Sequence, residues 1–156
     1  MSSARIRIGI SSCLLGQEVR FDGGHKHNGY ITESLGQFFE FVPFCPEVAI
    51  GLGIPRPPIR LVRHGQAIEA HGVKDPALDV TDKLTAYAGK VAAKLDAVSG
   101  YILKKNSPSC GMERVKVYTV KGMPVTTAAG IYAGALMEQL PELPFEEEGR
   151  LMDPVL

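Results

Sequence analysis

The sequence GYILKKNSPSCG, residues 100–111, joins a short apolar run to a loop that holds a cysteine. Its first half predicts a β-strand over Gly100–Lys105, because apolar residues follow one another there until the polar loop begins. In its second half, Pro108 narrows the backbone conformations around Cys110 and Gly111 permits a sharp turn. A thiol in such a loop is presented to its surroundings rather than packed in a core.

The same order of strand and cysteine occurs twice more. RIRIGISSC predicts a strand over Arg5–Ile10 that runs into a loop with Cys13. FEFVPFC predicts a strand over Phe39–Phe44 that is followed directly by Cys45. The carboxyl ends of parallel strands line one edge of a sheet, where ligands bind. We therefore expect the three thiols to meet at one place.

The segments between these strands predict helices and further strands. DVTDKLTAYAGKVAAKLDAVSG has helical spacing, with Thr81 suited to the N-cap and Gly100 to the stop. Shorter helices are expected from about Ile31 and, after PVTT, around Ile131. RLVRHGQAIEAHG predicts a hairpin that turns at His64-Gly65, and VKVYTV predicts another strand.

Strands that alternate with helices predict an α/β fold. We expect a single domain over residues 1–156, with a mostly parallel, Rossmann-like sheet flanked by helices. Residues 141–156 are acidic and broken by prolines, and we expect them to wrap the surface as a tail.

Composition excludes several classes of function. The 156 residues include 17 Lys plus Arg and 17 Asp plus Glu, so the net charge of zero gives no global attraction for nucleic acid. The amino terminus is not a signal peptide, and no run approaches the roughly 20 apolar residues of a membrane helix. We expect a cytoplasmic protein with no membrane partner. Gly51-Leu52-Gly53 lacks the full dinucleotide fingerprint, which argues against a nicotinamide site.

The odd number of cysteines and the expected reducing compartment argue against a disulfide framework. One interpretation is that Cys13, Cys45 and Cys110 are unrelated thiols. The other is that they converge, in which case they would ligate zinc with one open position, or an iron–sulfur cluster with one iron left open. No CxxC pair is present to decide between these interpretations.

Polar residues beside the cysteines are candidates for the chemistry. Glu47 follows Cys45 by two positions and could accept a proton from water. Ser107 and Ser109 either form the turn around Pro108 or contact a substrate. Lys104 and Lys105 point to opposite faces of a strand, so one of them is expected on the surface and the other near an anionic cluster or substrate.

His25 and His27 lie in the glycine-rich loop after Cys13. They could join a metal site, although histidines in a polar loop are more often simply exposed.

The segments ISSCLLGQEVRFDGG, FVPFCPEVAIGLGIPRPPIRLV and GYILKKNSPSCG together resemble the thiouracil desulfurase family, long catalogued as a domain of unknown function. The resemblance covers nearly the whole chain. It implies that Cys13, Cys45 and Cys110 hold a [4Fe-4S] cluster whose fourth iron is open. The implied reaction is a redox-neutral desulfuration of a thiolated pyrimidine, such as 2-thiouracil, 4-thiouracil or thiouridine, to the oxo base with release of sulfide.

The resemblance also assigns roles to the polar residues. Glu47 matches the acidic residue that activates water, and Ser107 falls where a substrate contact or proton relay is expected. Ser109 and Lys104 are the expected substrate-binding residues. Sulfur is a soft ligand that suits iron in a thiolate cluster, so these roles agree with the interpretation of the residues themselves.

Two rival functions stay open at this point. One is a non-catalytic iron–sulfur or zinc binding module for sulfur sensing or delivery, and the other is an enzyme that uses one cysteine as a nucleophile. The terminal EGRLMDP resembles the junction in longer relatives, which act on thiouridine in transfer RNA through a second domain. A transfer RNA partner is therefore expected only with an additional domain, and the sequence leaves the oligomeric state open.

Overall fold

The computed structural model of the chain describes residues 6–17, 24, 26–95 and 97–151. The strands in these ranges are β1 (Ile6–Ser11), β2 (Phe39–Phe44), β3 (Ile59–His64), β4 (Ala67–Gly72), β5 (Gly100–Leu103), β6 (Val115–Tyr118), β7 (Pro124–Ala128) and β8 (Phe145–Glu147). The α-helices are α1 (Pro46–Ala49), α2 (Thr81–Ala92), α3 (Ile131–Gln139) and α4 (Glu148–Leu151). Shorter turns are the 3-10 turns Ser12–Leu15 and Leu35–Gln37 and the π-helical turn Tyr30–Ser34.

The first sheet is entirely parallel, with the strand order β2-β1-β5-β8. In its register, Ser11 at the end of β1 lies opposite Phe44 at the end of β2, and Ile10 lies opposite Ile102 of β5. The carboxyl ends of the three strands that precede the cysteines therefore meet at one edge. Arg5, the first residue of the expected β1, lies outside the described residues.

The first sheet buries both of its faces. Tyr101 and Leu103 of β5 belong to the large core that includes residues of α2, α3 and the second sheet. Ile102, between them, belongs to a smaller core with Ile10 and Ile31. This alternation is the period of two expected of a strand, and apolar burial on each face stabilises the layer.

The second sheet has the order β4-β3-β6-β7. β3 and β6 run parallel, whereas the pairs β3–β4 and β6–β7 are antiparallel. The predicted hairpin is confirmed, but its turn lies one residue later than expected, at Gly65-Gln66, because His64 is still paired with Ala67. Gly65 adopts the left-handed conformation with φ of 66°. The predicted fold class, an α/β fold with a mostly parallel sheet flanked by helices, is confirmed. Its division into two sheets was not expected, and it arises because β3 pairs with β6 and not with a strand of the first sheet. PVTT forms β7 and leads into the expected helix, α3.

The helix α2 is shorter than expected, since it ends at Ala92 and Gly100 instead begins β5. Thr81 is the first residue of α2 and not its N-cap. Its hydroxyl accepts a hydrogen bond from the Ala70 amide at 2.8 Å and donates one to Asp79 Oδ1 at 2.6 Å. Thr81 therefore joins α2 to β4. Among the described residues, each helix is too short or too polar to cross a lipid bilayer.

The expectation of a surface tail over residues 141–156 is corrected by β8. Phe145–Glu147 pairs with β5 as the outermost strand of the first sheet, and the Phe145 side chain packs in the large core. Glu147 and Glu148 are both buried. Apolar burial and strand pairing thus hold this segment in the fold, although its acidic composition is typical of a solvated one. Residues 152–156 lie outside the described residues.

Candidate active site

A cavity of about 660 Å³ opens at the carboxyl edge of the first sheet, and Cys13, Cys45 and Cys110 all line it. This volume is typical of sites that take a small molecule. The cysteines come from three separate segments, each of which follows one of the parallel strands. The structure therefore brings together the three thiols that the sequence pattern predicted to converge.

Cys13 is held by the 3-10 turn that follows β1. Its carbonyl oxygen accepts hydrogen bonds from the amides of Gly16 at 3.2 Å and Lys26 at 3.0 Å. Gly16 closes the turn with φ of 90°, a conformation that favours glycine. This turn buries the Cys13 side chain against the small core while leaving it on the cavity wall.

Cys45 is the N-cap residue of α1, and Pro46 occupies the first helical position. Burial raises the pKa of the Cys45 thiol. The backbone amides of Val48 and Glu47 hydrogen-bond to the sulfur and partly oppose that effect. The sulfur therefore sits where backbone donors are ready to stabilise a thiolate.

Cys110 is placed by a tightly hydrogen-bonded loop. The Ser107 hydroxyl oxygen accepts hydrogen bonds from the amides of Cys110 at 2.9 Å and Ser109 at 3.2 Å. At the start of α3, the amides of Ile131 and Ala133 donate to the carbonyls of Pro108 at 3.0 Å and Ser109 at 2.9 Å. The helix terminus thus holds the loop in one conformation.

Two consecutive glutamates fasten both sides of this loop. Oε1 of Glu148 accepts a hydrogen bond from the Lys105 amide at 2.8 Å. Oε2 of Glu147 accepts one from the Met112 amide, also at 2.8 Å. We call Glu147 and Glu148 the glutamate clamp. It connects β8 and α4 to the segment that carries Cys110.

The three thiols influence one another electrostatically. Burial is the main reason that the pKa of the Cys110 thiol lies far above its ordinary value. The Ser11 side chain opposes this by hydrogen bonding, while negative charge on Cys45 and Cys13 raises the Cys110 pKa further. Such a buried set of thiols is costly to ionise without a cation among them, which fits a metal or cluster site.

The spacing of the thiols bears on the kind of metal centre. Within the described part of the chain, the three sulfurs do not form a group whose members all lie within 4.8 Å of one another. Ligation of a single tetrahedral zinc at about 2.3 Å from each sulfur would need sulfur separations of about 3.8 Å. As they stand, the three sulfurs are too far apart to ligate one such zinc ion together.

Glu47 projects from α1 into the same cavity, with its side chain 13% exposed. Its Oε1 accepts a hydrogen bond from Nε of Arg56 at 3.1 Å, and its Oε2 accepts one from the Ser109 hydroxyl at 2.9 Å. Both carboxylate oxygens are therefore fixed, and the group stands beside the thiols in a defined orientation.

The predicted serines occupy different places. Ser107 lines the cavity, whereas Ser109 is 0% exposed and is not among the described residues that line it. The Ser109 hydroxyl is directed at Glu47, so this structure places it to orient that carboxylate. Ser107 both supports the cysteine loop and presents its side chain to the cavity.

Lys104 also lines the cavity, and its ammonium lies 3.0 Å from Oε2 of Glu148. Lys105 is exposed but also lines the cavity, so the two lysines do not part to opposite faces as expected; β5 ends at Leu103, before both of them. The Ser11 hydroxyl accepts the Lys104 amide hydrogen bond at 3.1 Å, which ties the end of β5 to β1. Lys104 is thus a largely buried, ion-paired cation in the cavity wall.

Sequence reasoning missed Arg56 and Glu148, which both line the cavity. A signal for Arg56 was present, since an arginine among the prolines of GIPRPP is fixed in position by its neighbours. No local signal marks Glu148, because three of its neighbours in PFEEEGR are equally polar. His27 lines the cavity and contacts Thr32 Oγ1 at 2.8 Å, while His25 lies outside the described residues.

A second cavity, of about 370 Å³, adjoins the first. Asn106 and Pro108 line both cavities. The second cavity is also lined by three cationic residues and one tyrosine, which are Arg60, Arg114, Lys116 and Tyr118. No carboxylate is among its described lining residues. An anionic group beside the main site would therefore find complementary charge.

Comparisons with known proteins identify the family of this chain. Residues 8–148 match the family model described as 2-thiouracil desulfurase. The chain is 33% identical over 141 residues to YbbK, an uncharacterised protein of Bacillus subtilis (strain 168). The matched region covers 83% of this chain and 88% of YbbK. It is also similar to the solved structure of the [4Fe-4S]-dependent thiouracil desulfidase TudS, with a TM-score of 0.69 and 29% sequence identity over 94% of this chain and 93% of that one.

Proposed function

Since the chain belongs to the 2-thiouracil desulfurase family, we propose that it exchanges the sulfur of a thiolated pyrimidine for the oxygen of water. The products are the oxo base and hydrogen sulfide, so no electron donor is consumed. The observation that carries this proposal is the meeting of Cys13, Cys45 and Cys110 in one cavity beside Glu47.

Two buried thiols and one half-buried thiol, without a fourth cysteine, suit a [4Fe-4S] cluster with one open iron. We assign Cys13, Cys45 and Cys110 as its ligands. When bound, the cluster supplies a Lewis acid that prefers sulfur and polarises a thiocarbonyl bond. The Ser11 hydroxyl, which hydrogen-bonds to Cys110, is placed to tune that ligand.

Glu47 is the proposed general base toward water. A base acts on a proton only when its geometry is fixed and the water lies within hydrogen-bonding reach. Arg56 donates a hydrogen bond to one carboxylate oxygen of Glu47 and Ser109 donates one to the other, and together they restrict the orientation of the carboxylate. Ser109, assigned from the sequence to substrate binding, is better placed to position Glu47.

Ser107 and Lys104 are proposed to contact the substrate. The Ser107 oxygen already accepts two amide hydrogen bonds, so its own hydroxyl proton is the group that remains to be donated. Lys104 brings positive charge to the cavity wall, moderated by Glu148. Both side chains line the cavity from the segment that also carries Cys110.

The second cavity favours a substrate larger than the free base. It shares two wall residues with the main site and presents Arg60, Arg114 and Lys116. Guanidinium and ammonium groups in such a recess are suited to phosphate. We therefore propose that a thiolated pyrimidine nucleotide binds with its base in the main cavity and its phosphate in the second.

The rival function is a non-catalytic iron–sulfur or zinc binding module. Such a module needs only the three thiols to bind its metal. It does not need a carboxylate held in a fixed orientation in the cavity. The presence of Glu47, with both oxygens held, in a cavity of about 660 Å³ favours catalysis.

Anaerobic reconstitution with iron and sulfide tests the proposal. The protein should become brown, and it should convert 4-thiouracil or 4-thiouridine monophosphate into the oxo product with one sulfide released per turnover. In water enriched in oxygen-18, the new carbonyl should carry the label. A fully loaded cluster that leaves every thiolated pyrimidine unchanged would favour the binding module instead.

A further inference from the structure

Arg56 is a nearly buried cation in the wall of the main cavity. Its side chain is 4% exposed, and it lies between the prolines of GIPRPP. Burying a guanidinium is costly unless its donors find acceptors. The partners of its nitrogens therefore show what the group is arranged to bind.

Arg56 has five N–H donors, and only part of the set is used internally. Nε donates to Glu47 Oε1 at 3.1 Å, and Nη1 donates to the Gly53 carbonyl at 2.9 Å. Nη2 has no acceptor within the described part of the chain, and it retains access to solvent. Arg56 lines the main cavity, and Nη2 is therefore the part of the guanidinium that is left for a ligand there.

A mono-thiolated pyrimidine carries one thiocarbonyl and one ordinary ring carbonyl. The thiocarbonyl must face the cysteines for the proposed reaction, so the carbonyl oxygen must be received elsewhere in the cavity. A guanidinium donates strong hydrogen bonds to oxygen, whereas sulfur is a weak acceptor.

We propose that Arg56 is a specificity-determining residue: its Nη2 edge receives the remaining ring carbonyl of the substrate and thereby directs the thiocarbonyl to the thiols. This inference rests on the proposed desulfuration. It assigns to Arg56 a preference for pyrimidines that keep one carbonyl over those in which both carbonyls are replaced by sulfur. Loss of a charged hydrogen bond to oxygen weakens binding by about 10- to 100-fold, which sets the expected size of this preference.

The test compares 4-thiouracil with 2,4-dithiouracil in the anaerobically loaded enzyme. The wild type should prefer 4-thiouracil by about tenfold or more in kcat/KM, and Arg56→Gln should bring that ratio close to one. Loss of the contact with Glu47 slows both substrates alike, so it leaves the ratio unchanged. Arg63→Gln, an exposed arginine outside both cavities, is the matched control and should keep the wild-type ratio.

Binding of uracil provides a readout without turnover. The loaded wild type should bind uracil about tenfold more tightly than Arg56→Gln in calorimetry, with Arg63→Gln equal to the wild type. Arg56→Lys keeps the charge beside Glu47 and should restore part of the uracil affinity. Equal uracil affinity in the wild type and Arg56→Gln overturns the assignment, and so does an unchanged substrate ratio. A wild type that desulfurates nothing yet binds uracil through Arg56 refutes the proposed reaction and supports the role of Arg56.

Discussion

The Ser109 hydroxyl donates a hydrogen bond of 2.9 Å to Oε2 of Glu47, across 62 positions of the sequence. The contact joins the motif that contains Cys45 to the motif that contains Cys110. Ser109 is fully enclosed and is itself part of the loop that the α3 terminus holds. The orientation of the proposed base is therefore determined by the same loop that presents a thiol.

Removing the Ser109 hydroxyl tests the orientation of Glu47 without removing a cluster ligand. Ser109→Ala should keep its cluster but lower kcat, by about tenfold, because Oε2 of Glu47 loses a donor. The unmade hydrogen bond should also lower the free energy of unfolding by about 1–3 kcal/mol. Chemical denaturation and steady-state kinetics measure the two effects, with the exposed Ser99→Ala as the control. Unchanged kcat would show that this contact does not matter for turnover.

Glu47→Gln keeps the shape of the side chain and removes its ability to take a proton. We expect kcat to fall by about 10²- to 10⁴-fold, the usual contribution of a general base, while iron content and visible absorption stay at wild-type values. Glu142→Gln changes an exposed glutamate outside both cavities and should be neutral. Full activity in Glu47→Gln would exclude the proposed base.

Each of Cys13→Ser, Cys45→Ser and Cys110→Ser should fail to hold the cluster. A hydroxyl is a much poorer ligand for iron than a thiolate. Iron and sulfide analysis after anaerobic reconstitution, together with the visible spectrum, reports the loss. A variant that retains both the full cluster and turnover would identify its cysteine as a bystander.

Gly130 lies where α3 meets the Cys110 loop. A Cβ there would come within 2.6 Å of the Ser109 backbone, so Gly130→Ala should displace the loop and lower both stability and cluster content. Gly134→Ala, in the same helix, would meet Ala129 at an ordinary 3.5 Å, and it should be neutral or stabilising by up to about 1 kcal/mol. Thermal unfolding of the pair is the measurement. Equal behaviour of the two variants would contradict the close packing of α3 on the loop.

The basic second cavity predicts a difference between base and nucleotide. Arg114→Gln should raise KM for 4-thiouridine monophosphate about tenfold or more and leave KM for 4-thiouracil unchanged, because only the nucleotide places a phosphate in that cavity. Raising the salt concentration should weaken nucleotide binding in the wild type more than in the variant. Identical KM changes for both substrates would argue against a phosphate site.

Local patterns predicted much of this architecture. β2 has its predicted bounds, Phe39–Phe44, and the predicted hairpin forms with its turn one residue later than expected. In both cases the decisive information is local, since apolar runs end at Pro, Gly or polar residues. The convergence of the cysteines followed from one further rule, that parallel strands share an edge.

The features that were missed depend on partners distant in the sequence. Glu147 and Glu148 look like solvated charges until the amides of Met112 and Lys105 are brought to them by the pairing of β8 with β5. The second sheet likewise depends on β3 pairing with β6, which lies more than 50 residues later. The role of Arg56 depends on its hydrogen bond to Glu47, nine positions earlier, whereas the sequence pattern around Glu47 gives no sign of that contact.

The glutamate clamp has a consequence for how the protein matures. Residues near the carboxyl end of the described chain fasten both sides of the loop that carries Cys110, whereas Cys13 and Cys45 lie in the first third of the sequence. During synthesis on the ribosome, the first two thiols emerge long before the segment that fixes the third. If the three cysteines hold the proposed cluster, its loading would depend on the docking of β8, and a nascent chain that stalls before β8 would expose its cysteines without the contacts that fix Cys110.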